Sequence, residues 1–354
     1  MQSTVANLSL TAPKYHFHHE KGRVHLHLPA WLMSLIVISV ASVLTLALVS
    51  YYELSNRKAV EKIQATKRLS LIQPPTPISD IKPADASAVA PTPQPVKIDA
   101  YNTGLTLDPG LQKILDTYNA ATPPSGIVVL DDTDKIYAAI EPDQARTAAS
   151  LYKLFVAREI YDFRAQGKLS FDKTITITQA AADQDNNDPN LPVGTSIQVS
   201  ECLRRMIVVS DNACGYLLGN IIGWNNVNQT LQIKGYSQTS LGSEQLTSAA
   251  DIGLLLRRIS EGQMIDADSS HNLEAILFEQ QINTALPALL PVGVMGHKTG
   301  SLNGLVHDAG IVRANNKVYT IVVLSGPWKK TSDANNSIAQ LSRNVYDYIQ
   351  NYKP

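Results

Sequence analysis

Ser150 and Lys153 stand three residues apart at the head of an amphipathic run in which Leu151, Leu154, Phe155, Ile160 and Tyr161 recur at helical spacing. On a helix, positions i and i+3 share one face, with Cβ atoms roughly 5–6 Å apart. A hydroxyl is a weak nucleophile near neutral pH and needs a neighbour to accept its proton. A lysine serves only if its pKa falls from about 10.4 towards 7, a shift worth roughly 4–5 kcal/mol. Burial and a second cation are the two means to that shift. Ser-x-x-Lys recurs at Ser55–Lys58, beside an apolar run, and at Ser170–Lys173, ahead of the strand-like Thr174-Ile175-Thr176-Ile177-Thr178. The spacing alone therefore selects nothing, and the choice of Ser150 depends on residues further along.

Two later segments supply those residues. Ser210-Asp211-Asn212 lies between the apolar helical patterns Leu203–Ile207 and Tyr216–Ile221. A polar trio in that setting implies a loop that must satisfy its own hydrogen bonds. Ser210 or Asp211 would cap the second helix; alternatively Ser210 shuttles a proton and Asn212 contacts a substrate amide. Gly296-His297-Lys298-Thr299-Gly300-Ser301 ends a strand pattern, and its glycines let a substrate backbone approach the strand edge. Lys298 would be the second cation beside Lys153, and Thr299 and Ser301 would bind a carboxylate.

These segments need a scaffold. At 354 residues with a net charge of −1, the chain shows no electrostatic footprint for nucleic acid. Two cysteines, Cys202 and Cys214, make no disulfide framework. They can pair if a loop separates their helices, but two unpaired buried thiols are the expectation. Residues 1–28 read as a polar tail carrying His16, His18, His19, His25 and His27. No cysteine or carboxylate cluster completes a metal site there, so a solvated tail is expected. Residues 29–52 contain no charged side chain and would span about 36 Å as a helix, enough to cross a hydrocarbon core of about 30 Å. Trp31 and Tyr51-Tyr52 suit its two interfaces, and an uncleaved anchor is expected. Residues 53–99 follow as a charged and then Pro-rich linker.

The folded domain is expected at 100–354. Leu111–Tyr118 reads as helix, and Ile127–Leu130 and Lys135–Ile140 as strands paired across Asp131-Asp132-Thr133-Asp134. A mainly helical stretch runs from Ser150 to Glu279. Strand patterns return at Val292–Lys298, Ala309–Arg313 and Lys317–Leu324, and a helix covers Ala334–Tyr352. Strands at both ends around a helical middle imply an α/β sandwich on one antiparallel sheet.

With Ser-x-x-Lys, Ser-Asp-Asn and Lys-Thr-Gly in this order, the chain resembles the penicillin-recognising serine enzymes, and specifically class A β-lactamases. The likeness covers roughly 105–354, including Val193–Leu218 and His307–Val312. It implies a three-layer sandwich with helices on both faces of the sheet and a helical subdomain. It implies that Ser150 attacks the carbonyl of a β-lactam or an acyl-D-Ala-D-Ala peptide, with Lys153 as base and Ser210 relaying a proton to the leaving nitrogen. Backbone N–H groups of Ser150 and Ser301 would form the oxyanion hole. Lys298, Thr299, Gly300 and Ser301 would hold the substrate carboxylate, and Asn212 its acylamide. No metal or organic cofactor is implied.

One departure stands out. Class A enzymes resemble one another in a later Glu-x-x-Leu-Asn loop whose glutamate activates the deacylating water, and this chain lacks it. Between Asp211 and Asp251 the one carboxylate is Glu244. An exposed residue near a helix N-terminus is the expectation for it, rather than a base. Asp183-Gln184-Asp185-Asn186-Asn187-Asp188 opens like a calcium loop but lacks its later glycine and glutamate. His297 and His307 are expected to be structural.

The expectation is thus a membrane-anchored acyl-enzyme hydrolase, with a D,D-peptidase or an acylated sensor as alternatives. The N-terminal tail shows no effector domain, which weighs against the sensor. The substrate class places the domain outside the cytoplasm. The basic residues oppose that: Arg57, Lys58, Lys62, Lys67 and Arg68 follow the apolar run, against Lys14, Lys21 and Arg23 before it.

Overall fold

The computed structural model describes residues 104–184, 191–242 and 244–353, together with 19–20 and 23–24. The expected span 29–52, the linker 53–99, nearly all of the histidine-bearing tail and Asp185–Asp188 lie outside the described residues. Among the described residues no helix is long and apolar enough to cross a membrane. Among the same residues no His, Cys, Asp and Glu side chains group as a metal site. The chain divides into units 1–89 and 90–354. In the first, β1 (His19–Glu20) and β2 (Arg23–Val24) pair antiparallel.

In the second unit, β3 (Thr106–Leu107) leads into α1 (Pro109–Ala121). Asp108 caps α1 by accepting from the Leu111 N–H at 2.7 Å, and Pro109 occupies the first helical position, where no donor is needed. β4 (Gly126–Asp131) and β5 (Ile136–Ile140) follow as a hairpin. After β6 (Arg146–Thr147) and a 3₁₀ turn, Ala149–Leu151, comes α2 (Tyr152–Ala165). β7 (Thr174–Thr176), α3 (Gln179–Ala182) and β8 (Ser196–Gln198) precede α4 (Val199–Val208), α5 (Asn212–Ile222) and α6 (Trp224–Ile233). Then come β9 (Leu246–Thr247), α7 (Ala249–Ser260), α8 (Ala267–Phe278) and a second 3₁₀ turn, Leu286–Leu289. β10 (Met295–Leu302), β11 (Leu305–Ala314), β12 (Lys317–Leu324) and α9 (Thr331–Asn351) complete the domain.

The main sheet runs β10-β11-β12-β4-β5-β3. It is antiparallel except for the two-residue edge strand β3, which lies parallel to β5. Central strand β4 is buried along its whole length, and its side chains alternate between two apolar layers. Ile127 and Val129 pack with Leu111, Leu115, Ile338 and Val345 of α1 and α9. Val128 and Leu130 join Leu255, Leu154 and Leu203 on the helical side. Helix, sheet and helix make three layers, as expected. Gly253 brings α7 close to β4, since a Cβ there would come within 2.8 Å of Val128 Cγ1. Asn315 and Asn316 both have positive φ, matching the tight turn that joins β11 to β12.

Three expectations need correction. Cys202 and Cys214 form a disulfide, with Cα atoms 5.1 Å apart. The Ser210–Asp211 turn folds α5 back on α4 and brings the two sulfurs together. Ser150 does not open the α-helix; it occupies the 3₁₀ turn ahead of α2. The strand expected over Val292–Lys298 instead spans Met295–Leu302, which places Lys298-Thr299-Gly300 in mid-strand. Ladder pairing with β11 (Lys298 with Ala309, Thr299 with Asp308, Gly300 with His307) overrides the weak strand preference of Thr-Gly-Ser.

Candidate active site

Ser150 is held from both sides of its turn. β6 pairs with β9, Arg146 with Thr247 and Thr147 with Leu246, and the Ala148 N–H donates to the Gln245 carbonyl at 2.7 Å. Ala149 then takes a φ of 45°, a left-handed conformation that costs a non-glycine residue roughly 1–2 kcal/mol. The chain turns sharply there. Ser150 is left partly exposed between buried Ala149 and Leu151, immediately before the positive end of α2. Strand β10 lies against this turn at Gly300, where a Cβ would meet Leu151 N and the Ala148 carbonyl at 3.3 Å.

Lys153, in the first turn of α2, is fully buried. Its Nζ donates to the Ser210 carbonyl, to Asn212 Oδ1 at 2.6 Å and to Ser210 Oγ at 3.3 Å. Helix α5 closes over it because position 215 is glycine: a Cβ would come within 3.0 Å of Lys153 Cε and 2.8 Å of the Tyr152 hydroxyl.

Ser210 itself has φ 60°, and the turn it makes is secured by Asp211. One Asp211 oxygen accepts from the Cys214 N–H at 2.9 Å, capping α5, and the other accepts from Arg205 Nε at 2.8 Å. The capping reading of this segment therefore holds, for Asp211 and not for Ser210. The cap is Asp211, which leaves the Ser210 hydroxyl to the site.

Lys298 approaches that hydroxyl from the sheet. It is fully buried, and its Nζ donates to Ser210 Oγ at 2.9 Å and to the Thr299 carbonyl at 2.8 Å. Its pKa is pushed well below the ordinary lysine range, first by burial and then by the charge of Lys153; Asp308 pulls the other way. One hydroxyl between two buried amines is a path along which a proton can pass. Thr299 is almost buried, whereas Ser301 is exposed at the rim.

Both histidines are structural. Buried His307 accepts from the Ser325 N–H at Nδ1 (3.1 Å), so its proton lies on Nε2 and goes to the Thr147 carbonyl at 2.9 Å. It thereby ties β11 to the chain entering the Ser150 turn. Burial lowers its pKa to about 4, which keeps the ring neutral. His297 Nδ1 lies 2.9 Å from Asp308 Oδ1, and Asp308 also accepts from the N–H groups of Leu286 and Ala309 at 3.0 Å.

A cleft of about 380 Å³ reaches Asn212, the partner of Lys153, and is lined by Tyr152, Gln184, Asn212, Tyr216, Trp224, Gly242 and Gln245. A larger groove, about 750 Å³, lies between α1 and α9, away from this chemistry, and contains none of the motif residues. Glu244 is exposed and is not part of the cleft wall. The structure therefore gathers Lys153, Ser210, Asn212 and Lys298 around one point, with Gly300 packed against Ala148 and Leu151 on either side of Ser150. Sequence reading missed Tyr152, which packs against Trp224 with ring centroids 6.2 Å apart, and Gln245. Tyr152 lay inside the Ser-x-x-Lys motif and read as one more helix residue. Gln245 carried no sequence signal at all.

A fold of this topology, with buried lysines flanking a serine loop, is that of the β-lactamase-like serine hydrolases. The chain belongs to the beta-lactamase enzyme family, whose model matches residues 107–349. Among solved structures, PBP-A is 22% identical, with a TM-score of 0.65, covering 70% of this chain and 98% of its own. A single-residue mutant of PBP-A, solved as an acyl-enzyme complex with penicillin G, matches at 22% identity and a TM-score of 0.64, covering 70% and 98%. A beta-lactamase from Sphaerobacter thermophilus DSM 20745 is 20% identical at a TM-score of 0.63, covering 69% and 98%. At these identities the likeness establishes the fold. A comparison with curated protein sequences gives no match.

Proposed function

We propose that this chain is a membrane-anchored serine hydrolase that forms an acyl-enzyme on Ser150 with β-lactams. The observation that carries the reading is the Ser210 hydroxyl, 2.9 Å from Lys298 Nζ and 3.3 Å from Lys153 Nζ, beside the Ser150 turn. Ser150 Oγ attacks the carbonyl carbon while its proton passes to Lys153, which must first give up one of the three N–H donors it directs at Ser210 and Asn212. The tetrahedral oxyanion is met by the N–H groups of Ser150 and Ser301, where one lost donor typically costs about 10²–10³ in rate. The C–N bond then breaks, and Ser210 hands its proton to the departing nitrogen while taking one from protonated Lys153, which returns to its neutral form. Lys298, Thr299 and Ser301 hold the substrate carboxylate. Asn212, whose carbonyl oxygen is engaged by Lys153, turns its NH₂ to the acylamide.

A second reading keeps the same acylation but acts on peptidoglycan stem peptides. Its support is the cleft lining, which contains no carboxylate to activate a deacylating water among the described residues. PBP-A as a structural neighbour is consistent with it.

Residues 29–52 provide the anchor in this proposal, with the domain outside the cytoplasm. The Cys202–Cys214 disulfide favours that side, because disulfides persist in oxidising compartments. It weighs against the basic residues that follow the apolar run. Protease added to intact cells should degrade the domain; complete protection would place it in the cytoplasm.

The test of the chemistry mixes the full chain in detergent with a chromogenic cephalosporin and follows colour and intact mass. Turnover that disappears in Ser150→Ala means a working β-lactamase. A stoichiometric adduct on Ser150 without turnover favours the peptidase reading. No adduct and no turnover overturns both.

A further inference from the structure

We infer that Gln245, and not Glu244, is the residue that sets the lifetime of the acyl-enzyme, by holding the hydrolytic water without being able to take its proton. This rests on the acyl-enzyme reading above. Gln245 lines the cleft with Tyr152 and Asn212, and its carbonyl accepts from the Ala148 N–H, two residues before Ser150. The β6–β9 ladder fixes the following residues, Leu246 and Thr247, to Thr147 and Arg146. Position 245 is therefore held rigidly relative to the nucleophile.

Its side chain carries a further mark. Gln245 is only half-buried, yet its amide oxygen is enclosed and has no hydrogen-bond partner among the described residues. A buried acceptor left unpaired costs about 1–3 kcal/mol. At a cleft wall, a water donating to it removes that cost. This defines a hydration point on the cleft wall that Gln245 shares with Tyr152 and Asn212. Glu244, one residue earlier, is exposed.

Hydrolysis requires the water oxygen to attack the acyl carbon, the bond from carbon to Ser150 Oγ to break, and a proton to travel from water to Oγ. A carboxamide accepts a hydrogen bond from that water but takes no proton. The proton must then go to neutral Lys153 and on to Oγ, the route already used in acylation. A carboxylate at position 245 would take it directly. Partial burial would lift that carboxylate's pKa towards neutrality, where a general base works best.

The test uses the full chain in detergent with benzylpenicillin, reading decay of the Ser150 adduct by intact mass in wild type, Gln245→Glu, Gln245→Ala and Glu244→Gln. Gln245→Glu should shorten the adduct lifetime about 10²-fold or more, the usual contribution of a general base. Its decay should slow as pH falls through the new carboxylate's titration, a limb the wild type lacks. Gln245→Ala should lengthen the lifetime several-fold, and this decides the matter if the Glu variant fails to fold. Glu244→Gln should change nothing. Adducts that form normally, but whose lifetimes ignore position 245 or respond to Glu244→Gln, overturn this inference alone. If no adduct forms in wild type, the acyl-enzyme reading fails and this inference falls with it.

Discussion

The two walls of the site differ in how completely their polar groups are used. On one wall, Lys153, Lys298, Ser210 and Asn212 are joined by short hydrogen bonds around two fully buried lysines. On the other, the loop ahead of β9 offers an exposed carboxylate at Glu244 and an unpaired amide oxygen at Gln245. A group that must accept and return protons has to be desolvated and fixed, and the first wall meets that condition. The second is positioned but chemically neutral. On the proposed mechanism, forming an acyl-enzyme draws on the first wall alone and releasing it draws on both, so the first step can be complete while the second is slow.

The largest effect is expected on the first wall. Lys298→Ala should lower the rate of Ser150 adduct formation by about 10²–10³, in the range of a lost proton-transfer or oxyanion-type contact. Coulomb coupling between the two ammonium groups is mutual, so the rising limb of the acylation pH profile should also move upward. Stopped-flow acylation across pH checks both. An unchanged limb would show that Lys298 acts only as a carboxylate holder.

A middle-sized effect concerns the hairpin that presents Ser210 and Asn212. Replacing Cys202 and Cys214 by alanine opens a link between residues 12 apart, and should cost about 3 kcal/mol of domain stability by the loop-closure relation. Urea unfolding of variant and wild type measures it, and a reductant should bring the wild type to the variant's midpoint. If acylation falls with stability, the hairpin holds the first wall in place. If only stability falls, the lysine cluster is self-supporting.

The last effect vanishes at neutral pH and grows only in acid; it concerns the strut between the sheet and the Ser150 turn. His307 has an unperturbed pKa of 6.5, lowered to about 4 by burial. The unfolded chain therefore binds a proton that the folded chain refuses between those values, and stability from this group is lost as pH falls through that window. At 1.36 kcal/mol per unit the loss approaches about 3 kcal/mol at pH 4. Asp131 and Asp251, each raised to about 6 by burial, act in the opposite direction over a similar range. The informative quantity is therefore a difference. His307→Gln should remove that downward trend relative to wild type in unfolding experiments between pH 7 and pH 4. Parallel curves would mean the ring is not held neutral.

Much of this was legible in the chain itself. The continuous apolar runs Ile127–Leu130 and Ile321–Leu324 reflect strands buried on both faces, a local property. Ser-x-x-Lys, Ser-Asp-Asn and Lys-Thr-Gly could be read because each keeps its chemistry within three or four consecutive residues. Gln245 could not be read that way. Its significance comes from the ladder that seats it beside Thr147 and Ala148, residues about a hundred positions away. His307 was legible only as a histidine near a strand, because its partners, Thr147 and Ser325, come from separate segments.

The sequence by itself therefore determined the inventory: a serine with a nearby amine, a polar turn between helices, a cationic strand, and the absence of the expected glutamate motif. Tertiary structure decided which of these meet. It joined Cys202 to Cys214 through the fold-back at Ser210, enclosed Lys153 beneath Gly215, and brought Lys298 onto the same hydroxyl. Desolvation and Coulomb coupling depend on distances through space between residues far apart in the chain, and only packing sets those distances.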